Sequence, residues 1–112
     1  MKIAIVGSRS LVVDNIGAYL PNDCTEIVTG GARGVDTSAI EYAEQKRIRL
    51  TVFNPKYKLY GKAAPLIRNR DIVEYADEII AFYDGNSRGT LYTINYAKKI
   101  GKPCTIIILD KK

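Results

Sequence analysis

The feature that most constrains the fold is the regular alternation of short apolar runs with segments of helical periodicity. Three of the apolar runs are strong and continuous, and two weaker runs lie between them. Continuous short apolar runs are typical of parallel strands covered on both faces, whereas half-exposed strands alternate between apolar and polar residues. We therefore predict strands at residues 2–6, 26–29, 49–53, 78–83 and 104–109.

Helical patterns fill the intervals between these runs, with apolar residues spaced three to four positions apart. The predicted helices cover residues 11–19, 34–47, 63–76 and 89–100, and the longest irregular stretch is 54–62. Strands that alternate with helices predict an α/β fold with right-handed crossovers. The expected architecture is a Rossmann-like, doubly wound, parallel five-stranded sheet, in the order 3-2-1-4-5 and with helices on both faces.

Length and composition narrow the class of protein. The 112 residues predict a single domain over residues 1–112. No apolar run approaches the length of a membrane span, and Met1 and Lys2 lead straight into a predicted strand without a secretory segment. We expect a cytoplasmic protein with no membrane partner. Lys111 and Lys112 are expected to form a solvated tail.

The side chains available for chemistry are restricted. The chain has no histidine, which excludes Ser-His-Asp and Cys-His catalysis and every histidine-containing metal site. Cys24 and Cys104 lie far apart in the chain, as expected of free thiols in a reducing compartment. We predict no metal and no cofactor. A net charge of +5 suits an anionic partner, although many proteins carry such a charge only for solubility.

Three loops after predicted strands combine glycine with arginine: GSRS at 7–10, GGARG at 30–34 and DGNSRGT at 84–90. The carboxyl ends of parallel strands share one edge of the sheet, so all three loops should meet there. A helix start offers unpaired N–H groups, glycine lets a phosphate approach the backbone, and arginine supplies a planar set of donors. The loops predict a cradle for an anionic ligand. In the alternative, the glycines serve only tight turns and the arginines are solvated.

None of these loops is a standard phosphate-binding motif. GGARGVD matches neither the P-loop pattern nor the dinucleotide fingerprint. Asp36 falls in the first turn of a predicted helix, where the helix dipole alone favours a carboxylate. Structural capping and ligand contact therefore both stay open for Asp36.

The segment PLIRNRDIVEYA, residues 65–76, places polar groups beside an apolar helix face. That face carries Leu66, Val73 and Ala76. At about 100° per residue, Asn69 and Arg70 flank it and Arg68 points away. An unpaired buried polar group costs about 1–3 kcal/mol, so Asn69 and Arg70 need partners. A ligand at the sheet edge is one option, and Asp84 or a backbone carbonyl is another.

The segment KYKLYGK, residues 56–62, interleaves lysine with Tyr57 and Tyr60. This composition is typical of a stacking platform for single-stranded nucleic acid. The alternative is a loop whose tyrosines pack on the edge of the sheet.

Three stretches, GGARGVDTSAIEYA, RNRDIVEYADEIIAFYDG and SRGTLYTINYAKKIGKP, together resemble the SLOG superfamily of Rossmann-like domains. The order of the short motifs is most similar to the small stand-alone YspA/YpsA-related branch, and more distantly to DprA/Smf and the LOG-type lysine decarboxylase-like proteins. The resemblance spans nearly the whole chain. It implies a nucleotide-type or nucleic-acid ligand at the strand ends, is compatible with a homodimer, and for this branch implies no established reaction.

The loops and the resemblance together give one set of expected ligand-binding residues: Gly7, Ser8, Arg9, Gly30, Gly31, Arg33, Gly34, Asp36, Asn69, Arg70, Ser87, Arg88, Gly89 and Thr90. The resemblance leaves Arg68 open as an alternative to Arg70. LOG enzymes carry a glutamate three positions after the threonine of their GG-x-GT signature, and it serves cleavage of an N-glycosidic bond. Thr93 stands at that position here and cannot act as a carboxylate. Pro65 stands where the branch usually has glycine, and its ring is expected to narrow the pocket.

The leading hypothesis is a sensor- or effector-type domain that binds a nucleotide or another phosphorylated small molecule. Two alternatives stay open. One is a nucleotide N-glycosidase or phosphoribohydrolase of LOG type, which would need Asp36 or Asp84 in place of the missing glutamate. The other is DprA-like binding of single-stranded DNA.

Overall fold

The computed structural model describes residues 1–110, and the tail predicted at Lys111 and Lys112 lies outside them. The strands are β1 (Lys2–Gly7), β2 (Glu26–Thr29), β3 (Arg49–Val52), β4 (Glu78–Tyr83) and β5 (Cys104–Ile108). The helices are α1 (Val35–Lys46), α2 (Tyr57–Tyr60), α3 (Ala64–Tyr75) and α4 (Arg88–Ile100), with 3-10 turns at Ile16–Tyr19 and Gly61–Ala63. Within residues 1–110, none of the helices has the length and apolar character needed to cross a bilayer.

The five strands form one parallel sheet in the order β3-β2-β1-β4-β5, which confirms the predicted Rossmann-like topology. β1 is central, with Ile3 beside Ile27 of β2 and Ile5 beside Ile80 of β4. The strand order reverses between β1 and β4. The connections that leave these two strands therefore run to opposite faces of the sheet and open a crevice at their carboxyl ends.

The central strands are covered on both faces because successive side chains point to opposite sides of the sheet. Ile3 and Ile5 pack with α1 and with the segment after β1 on one face. Ala4 and Val6 pack with α3 and α4 on the other face. A fully buried isoleucine contributes about 1.5–3 kcal/mol, so this two-sided core explains why β1 reads as a continuous apolar run.

The predicted helix at residues 11–19 is wrong, because only the single 3-10 turn Ile16–Tyr19 forms there. Leu11 and Val13 are buried while Val12 between them is 74% exposed, which is the alternation of an extended segment. The N–H of Val13 donates to the Ser38 hydroxyl of α1 at 3.1 Å. This long-range hydrogen bond and the two buried side chains hold the segment against α1 without a helix.

Two further expectations need correction. The stretch 54–62, predicted to be irregular, contains α2 and most of the second 3-10 turn. β5 was expected to be covered on both faces, but Ile106 is 38% and Ile108 is 71% exposed. β5 pairs only with β4 and lies at the edge of the sheet. The predicted order placed β5 correctly at the edge, but its apolar run wrongly indicated cover on both faces.

Candidate functional site

A cavity of about 430 Å³, the main cavity, lies beyond the carboxyl ends of β1 and β4, where the strand order reverses. Its walls come from the loop after β1, the start of α1, the first turns of α3, and the loop after β4 with the first turns of α4. The structure brings these predicted binding residues together around it: Gly7, Ser8, Arg9, Asp36, Asn69, Ser87, Gly89 and Thr90.

A second cavity of about 220 Å³, the side cavity, adjoins the first. Its lining includes the predicted residues Gly30, Gly31 and Arg33. Both cavities are lined by Arg9, Ala32 and Arg68. Neither cavity is lined by the remaining predicted residues, Gly34, Arg70 and Arg88. The guanidinium groups expected at one site are thus divided between two adjoining cavities and the open surface.

α4 begins at the main cavity with a serine cap. The Oγ of Ser87 accepts a hydrogen bond from the Thr90 N–H at 3.3 Å, and the two hydroxyl oxygens lie 2.9 Å apart. The N–H groups of the first helical residues, Arg88 and Gly89, have no intrahelical partner. A Cβ added at Gly89 would meet only the Nδ2 of Asn69, at 4.0 Å. The start of α4 is therefore open to the cavity, and its partial positive charge attracts anions.

Asp84 holds the loop between β4 and α4 in place. Its Oδ1 accepts from the N–H groups of Asn86 at 2.8 Å and Ser87 at 2.9 Å, and its Oδ2 accepts from the Ser10 hydroxyl at 2.7 Å. These hydrogen bonds, that of Asn86 first, hold the pKa of the Asp84 carboxyl well below its usual range. Its own N–H donates to the Ser8 hydroxyl at 3.2 Å. A carboxylate that stays charged and engaged is poorly suited to general acid or base catalysis.

Gly30, the first glycine of GGARG, is close to side chains of the protein itself. A Cβ at this position would lie 2.8 Å from the Nη1 of Arg68 and 3.0 Å from the Oδ2 of Asp36. Both contacts are shorter than a carbon atom tolerates without displacement of its neighbours. A side chain at Gly30 would therefore have to displace the ends of the Arg68 and Asp36 side chains.

Gly31 and Gly34 are restricted in the same way, by internal neighbours and by backbone conformation. A Cβ at Gly31 would lie 2.7 Å from the Oδ1 of Asn54, and one at Gly34 would lie 2.5 Å from the carbonyl oxygen of Arg9. Gly34 has a φ of 74°, which L side chains rarely adopt. The glycines of GGARG thus serve the packing of the loop itself, which is the alternative that the sequence left open.

The sequence-based orientation of Arg68 is wrong, because this side chain is buried and reaches the ends of two strands. Its Nη1 donates to the carbonyl oxygen of Gly30 after β2 and lies 3.4 Å from that of Phe53 after β3. Its Nε donates to the Oδ1 of Asn69 at 2.8 Å. Arg68 therefore links two neighbouring loops and orients the Asn69 amide at the main cavity.

The error arose from where the inward face of α3 was centred, because Val73 and Ala76 of the predicted face are buried but Leu66 is not. Ala64, Arg68 and Ile72 follow one another at i, i+4 and i+8, and all three are buried. Leu66, on the stripe that the sequence suggested, is 40% exposed, and Arg70 is exposed as well. A cation within an apolar i, i+4, i+8 stripe was the signal that could have identified Arg68.

Asp36 lies in the first turn of α1 and borders the main cavity. Its Oδ2 accepts from the Ala32 N–H at 3.1 Å. Burial raises the pKa of the Asp36 carboxyl, and the hydrogen bonds of Ala32 and Thr29 and the charge of Arg68 oppose that rise only in part. Asp36 therefore closes the GGARG loop and also presents a carboxyl group to the cavity.

The chain matches no protein-family model, no curated protein and no solved structure. What this site can do is therefore judged from its own geometry.

Thr93 and the two cysteine thiols are not activated for bond cleavage. Thr93 lines the main cavity, and its hydroxyl donates to the carbonyl oxygen of Gly89 at 2.9 Å. Cys24 and Cys104 are free and half-buried, and burial raises the pKa of both thiols, so neither is an activated nucleophile. Within residues 1–110, no group of histidine, cysteine or acidic side chains is arranged to hold a metal ion.

Several residues of the main cavity were not expected from the sequence. Ser10 and Asn86 line it beside the predicted loop residues. Leu66 and Ile72 form an apolar wall from α3 together with Pro65, whose place at the pocket was expected. Ser10 lies within GSRS and Asn86 within DGNSRGT, so both could have been predicted as binding residues together with the rest of those loops. The apolar wall follows from the orientation of α3, which local periodicity assigned incorrectly.

Proposed function

We propose that this chain is a nucleotide-binding domain, which holds a nucleotide or a nucleotide-derived ligand in the main cavity. The observation that carries the proposal is the open start of α4 at the strand-order reversal, where Gly89 leaves the helix end accessible. Ligands of open α/β sheets bind at such a reversal, and helix starts there receive phosphate. The order of the SLOG-like motifs supports the same ligand class.

Three kinds of group around the main cavity correspond to three parts of a nucleotide. Phosphate oxygens would accept from the first N–H groups of α4 and from the guanidinium of Arg9. Sugar hydroxyls would pair with the amide of Asn69 and the carboxyl of Asp36, since these groups donate to or accept from a hydroxyl. The base would lie against the apolar wall of α3. A volume of about 430 Å³ lies within the usual range for small-molecule sites.

The direct test is calorimetric titration of the protein with nucleosides and with nucleoside mono-, di- and triphosphates. We expect saturable binding that requires at least one phosphate group. Arg9→Ala should weaken it by about tenfold, as expected for the loss of one charge-assisted contact. Arg70→Ala is the matched control, because Arg70 is exposed and lines neither cavity. The absence of binding across the whole panel would contradict the proposal.

One observation favours a second candidate function, the hydrolysis of a nucleoside monophosphate to its free base. Asp36 borders the main cavity and its pKa is raised by burial, which suits a general acid. The test is chromatographic detection of free base from a panel of nucleoside monophosphates, with Asp36→Asn as the inactive variant. Release of base that survives in Asp36→Asn would exclude Asp36 as the acid.

A further inference from the structure

The side cavity differs in charge from the main cavity. Three guanidinium groups line it, those of Arg9, Arg33 and Arg68, and no acidic residue does. Asp36 and Asp84, by contrast, line the main cavity. Within residues 1–110 no carboxylate forms an ion pair with Arg9 or Arg33. The side cavity thus combines several positive charges with little internal neutralisation.

Burial is the main cause that lowers the pKa of the Arg68 guanidinium, and the charge of Arg9 adds a smaller lowering. Arg9 is therefore near enough for its charge to act on Arg68. Asp36 offsets this repulsion from the side of the main cavity. An anion in the side cavity would be stabilised by Arg9 and Arg33 together, since guanidinium groups bind phosphate through a planar set of donors.

An aromatic ring completes the side cavity. Tyr57, the first residue of α2, lines it and is 57% exposed. An exposed ring beside unpaired guanidinium groups is the combination that stacks a base and neutralises its backbone phosphate. Lys56 and Lys58 flank Tyr57 in the chain. The side cavity therefore offers separate contacts for a phosphate group and for a planar ring.

The two cavities are adjacent, because Arg9, Ala32 and Arg68 line both. We propose that the ligand contains two nucleoside units joined through phosphate, with the first unit in the main cavity and the second stacked on Tyr57 in the side cavity. This inference rests on the proposed function, since it extends the same ligand from one cavity into the next. Arg9 lies where the connecting phosphate would pass.

The experiment compares the dissociation constants of four ligands by calorimetry: a nucleoside monophosphate, a pyrophosphate-linked dinucleotide, a 3′–5′-linked dinucleotide and a tetranucleotide. We expect a dinucleotide to bind about tenfold or more tightly than the monophosphate, as expected for one added base–aromatic contact. If a free dinucleotide is the source, the tetranucleotide adds nothing. If a single strand is the source, the tetranucleotide is tighter still and its affinity falls more steeply with salt.

Tyr57→Ala and Arg33→Ala separate the two cavities. Each variant should remove the advantage of the dinucleotide and leave the affinity for the monophosphate within about twofold, because neither side chain lines the main cavity. Leu59→Ala, in the same helix as Tyr57, and Arg70→Ala are the controls, since both side chains are exposed and line neither cavity. Circular dichroism of each variant checks that the fold is retained.

The outcomes distinguish this inference from the function on which it rests. If the monophosphate binds as tightly as both dinucleotides, the proposed function stands, but the inference that a second nucleoside unit occupies the side cavity is overturned. An equal loss of monophosphate and dinucleotide affinity in Tyr57→Ala would overturn it too. A protein that binds none of the four ligands contradicts both proposals.

Discussion

The GGARG loop (30–34) and the DGNSRGT loop (84–90) look alike in the sequence but are packed in opposite ways. Arg68 and Asp36 lie close over Gly30, so the space where its Cβ would lie is occupied by the protein's own side chains. Gly89, in the second loop, has only the Asn69 amide near the place where a Cβ would lie. A glycine–arginine loop at a strand end can therefore serve internal packing or leave a helix start accessible.

The carboxyl groups associated with the two loops also differ in the direction of their pKa shifts. Asp36 is buried and its pKa is raised, mainly because burial penalises the charged form. Asp84 accepts from two N–H groups and a hydroxyl, and its pKa is lowered. Each loop is organised by an acidic residue, Asp84 within the second loop and Asp36 in the helix that follows the first. Of the two carboxyl groups, only that of Asp36 retains its proton to a higher pH than usual.

The largest effect on stability is expected at Gly34, where the backbone after β1 packs directly against the GGARG loop. Gly34→Ala should lower the free energy of unfolding by about 3 kcal/mol or more, because φ is 74° and the new Cβ would lie 2.5 Å from the Arg9 carbonyl oxygen. The measurement is urea denaturation. Gly85→Ala is the control for backbone strain alone, since Gly85 has a φ of 89° and nothing within 4 Å. Equal losses in both variants would show that the contact is irrelevant.

The next effect concerns the side chain that fills the GGARG loop. Arg68→Met should lower the free energy of unfolding by about 2 kcal/mol, because the carbonyl oxygens of Gly30 and Phe53 lose a charged donor. The exposed Arg70→Met should change it by less than about 0.5 kcal/mol. The comparison is made by urea denaturation of both variants, and an Arg68→Met protein as stable as Arg70→Met would contradict the buried role.

A smaller loss is expected for Gly30→Ala, about 1–2 kcal/mol, since the new Cβ meets the end of a long side chain rather than backbone. The clash depends on Arg68. In the Arg68→Met background the same substitution should therefore be less harmful, and a double-mutant cycle by denaturation measures this coupling. Simple additivity would mean that Arg68 is not the obstacle at Gly30.

In the open loop, Gly89→Ala should leave the stability unchanged or raise it by about 0.5 kcal/mol, because alanine is the better helix former. Nucleotide affinity should nevertheless fall by about tenfold, since a methyl group would stand at the accessible helix start. Thermal denaturation and calorimetry measure the two effects on one sample. Leu91→Ala, an exposed change in the same helix, is the control for affinity. If Gly89→Ala lowers the stability, the Cβ position at Gly89 is crowded as it is at Gly30, and the contrast between the two loops is contradicted.

The smallest effect is expected in the pH dependence of stability, where each carboxyl contributes at most one proton. The raised pKa of Asp36 means that its contribution declines as pH rises above its ordinary value of 3.8, and Asp36→Asn should remove this decline. The lowered pKa of Asp84 means that its contribution is present above 3.8 and is lost on further acidification, so Asp84→Asn should remove an acid-side loss. Urea denaturation between about pH 3 and pH 7 measures both slopes. If Asp36→Asn and Asp84→Asn change the slope of stability against pH in the same direction, the opposite pKa shifts of the two carboxyl groups are contradicted.

Much of the fold followed from local pattern, because the continuous runs of β1 and β4 and the helical spacing of α1 and α4 are local properties. The predictions failed where the local pattern was weak or ambiguous. In residues 11–19, Leu11 and Val13 are buried against α1 and Val12 is exposed, which is the pattern of an extended segment. A helix was predicted there in error. On α3, Val73 was predicted correctly to be buried, but only packing against the sheet determines that Arg68 is buried and Leu66 is exposed.

The order of the elements, the parallel sheet and the edge at which the loops meet could be predicted from the chain alone, because each follows from the periodicity of neighbouring residues and from the handedness of crossovers. Which glycine packs against a distant side chain and which leaves a helix start accessible depends on tertiary packing. Arg68 reaches Gly30 across 38 positions of the chain. A contact of that range depends on how α3 is rotated against the ends of β2 and β3, and local periodicity carries no record of that rotation.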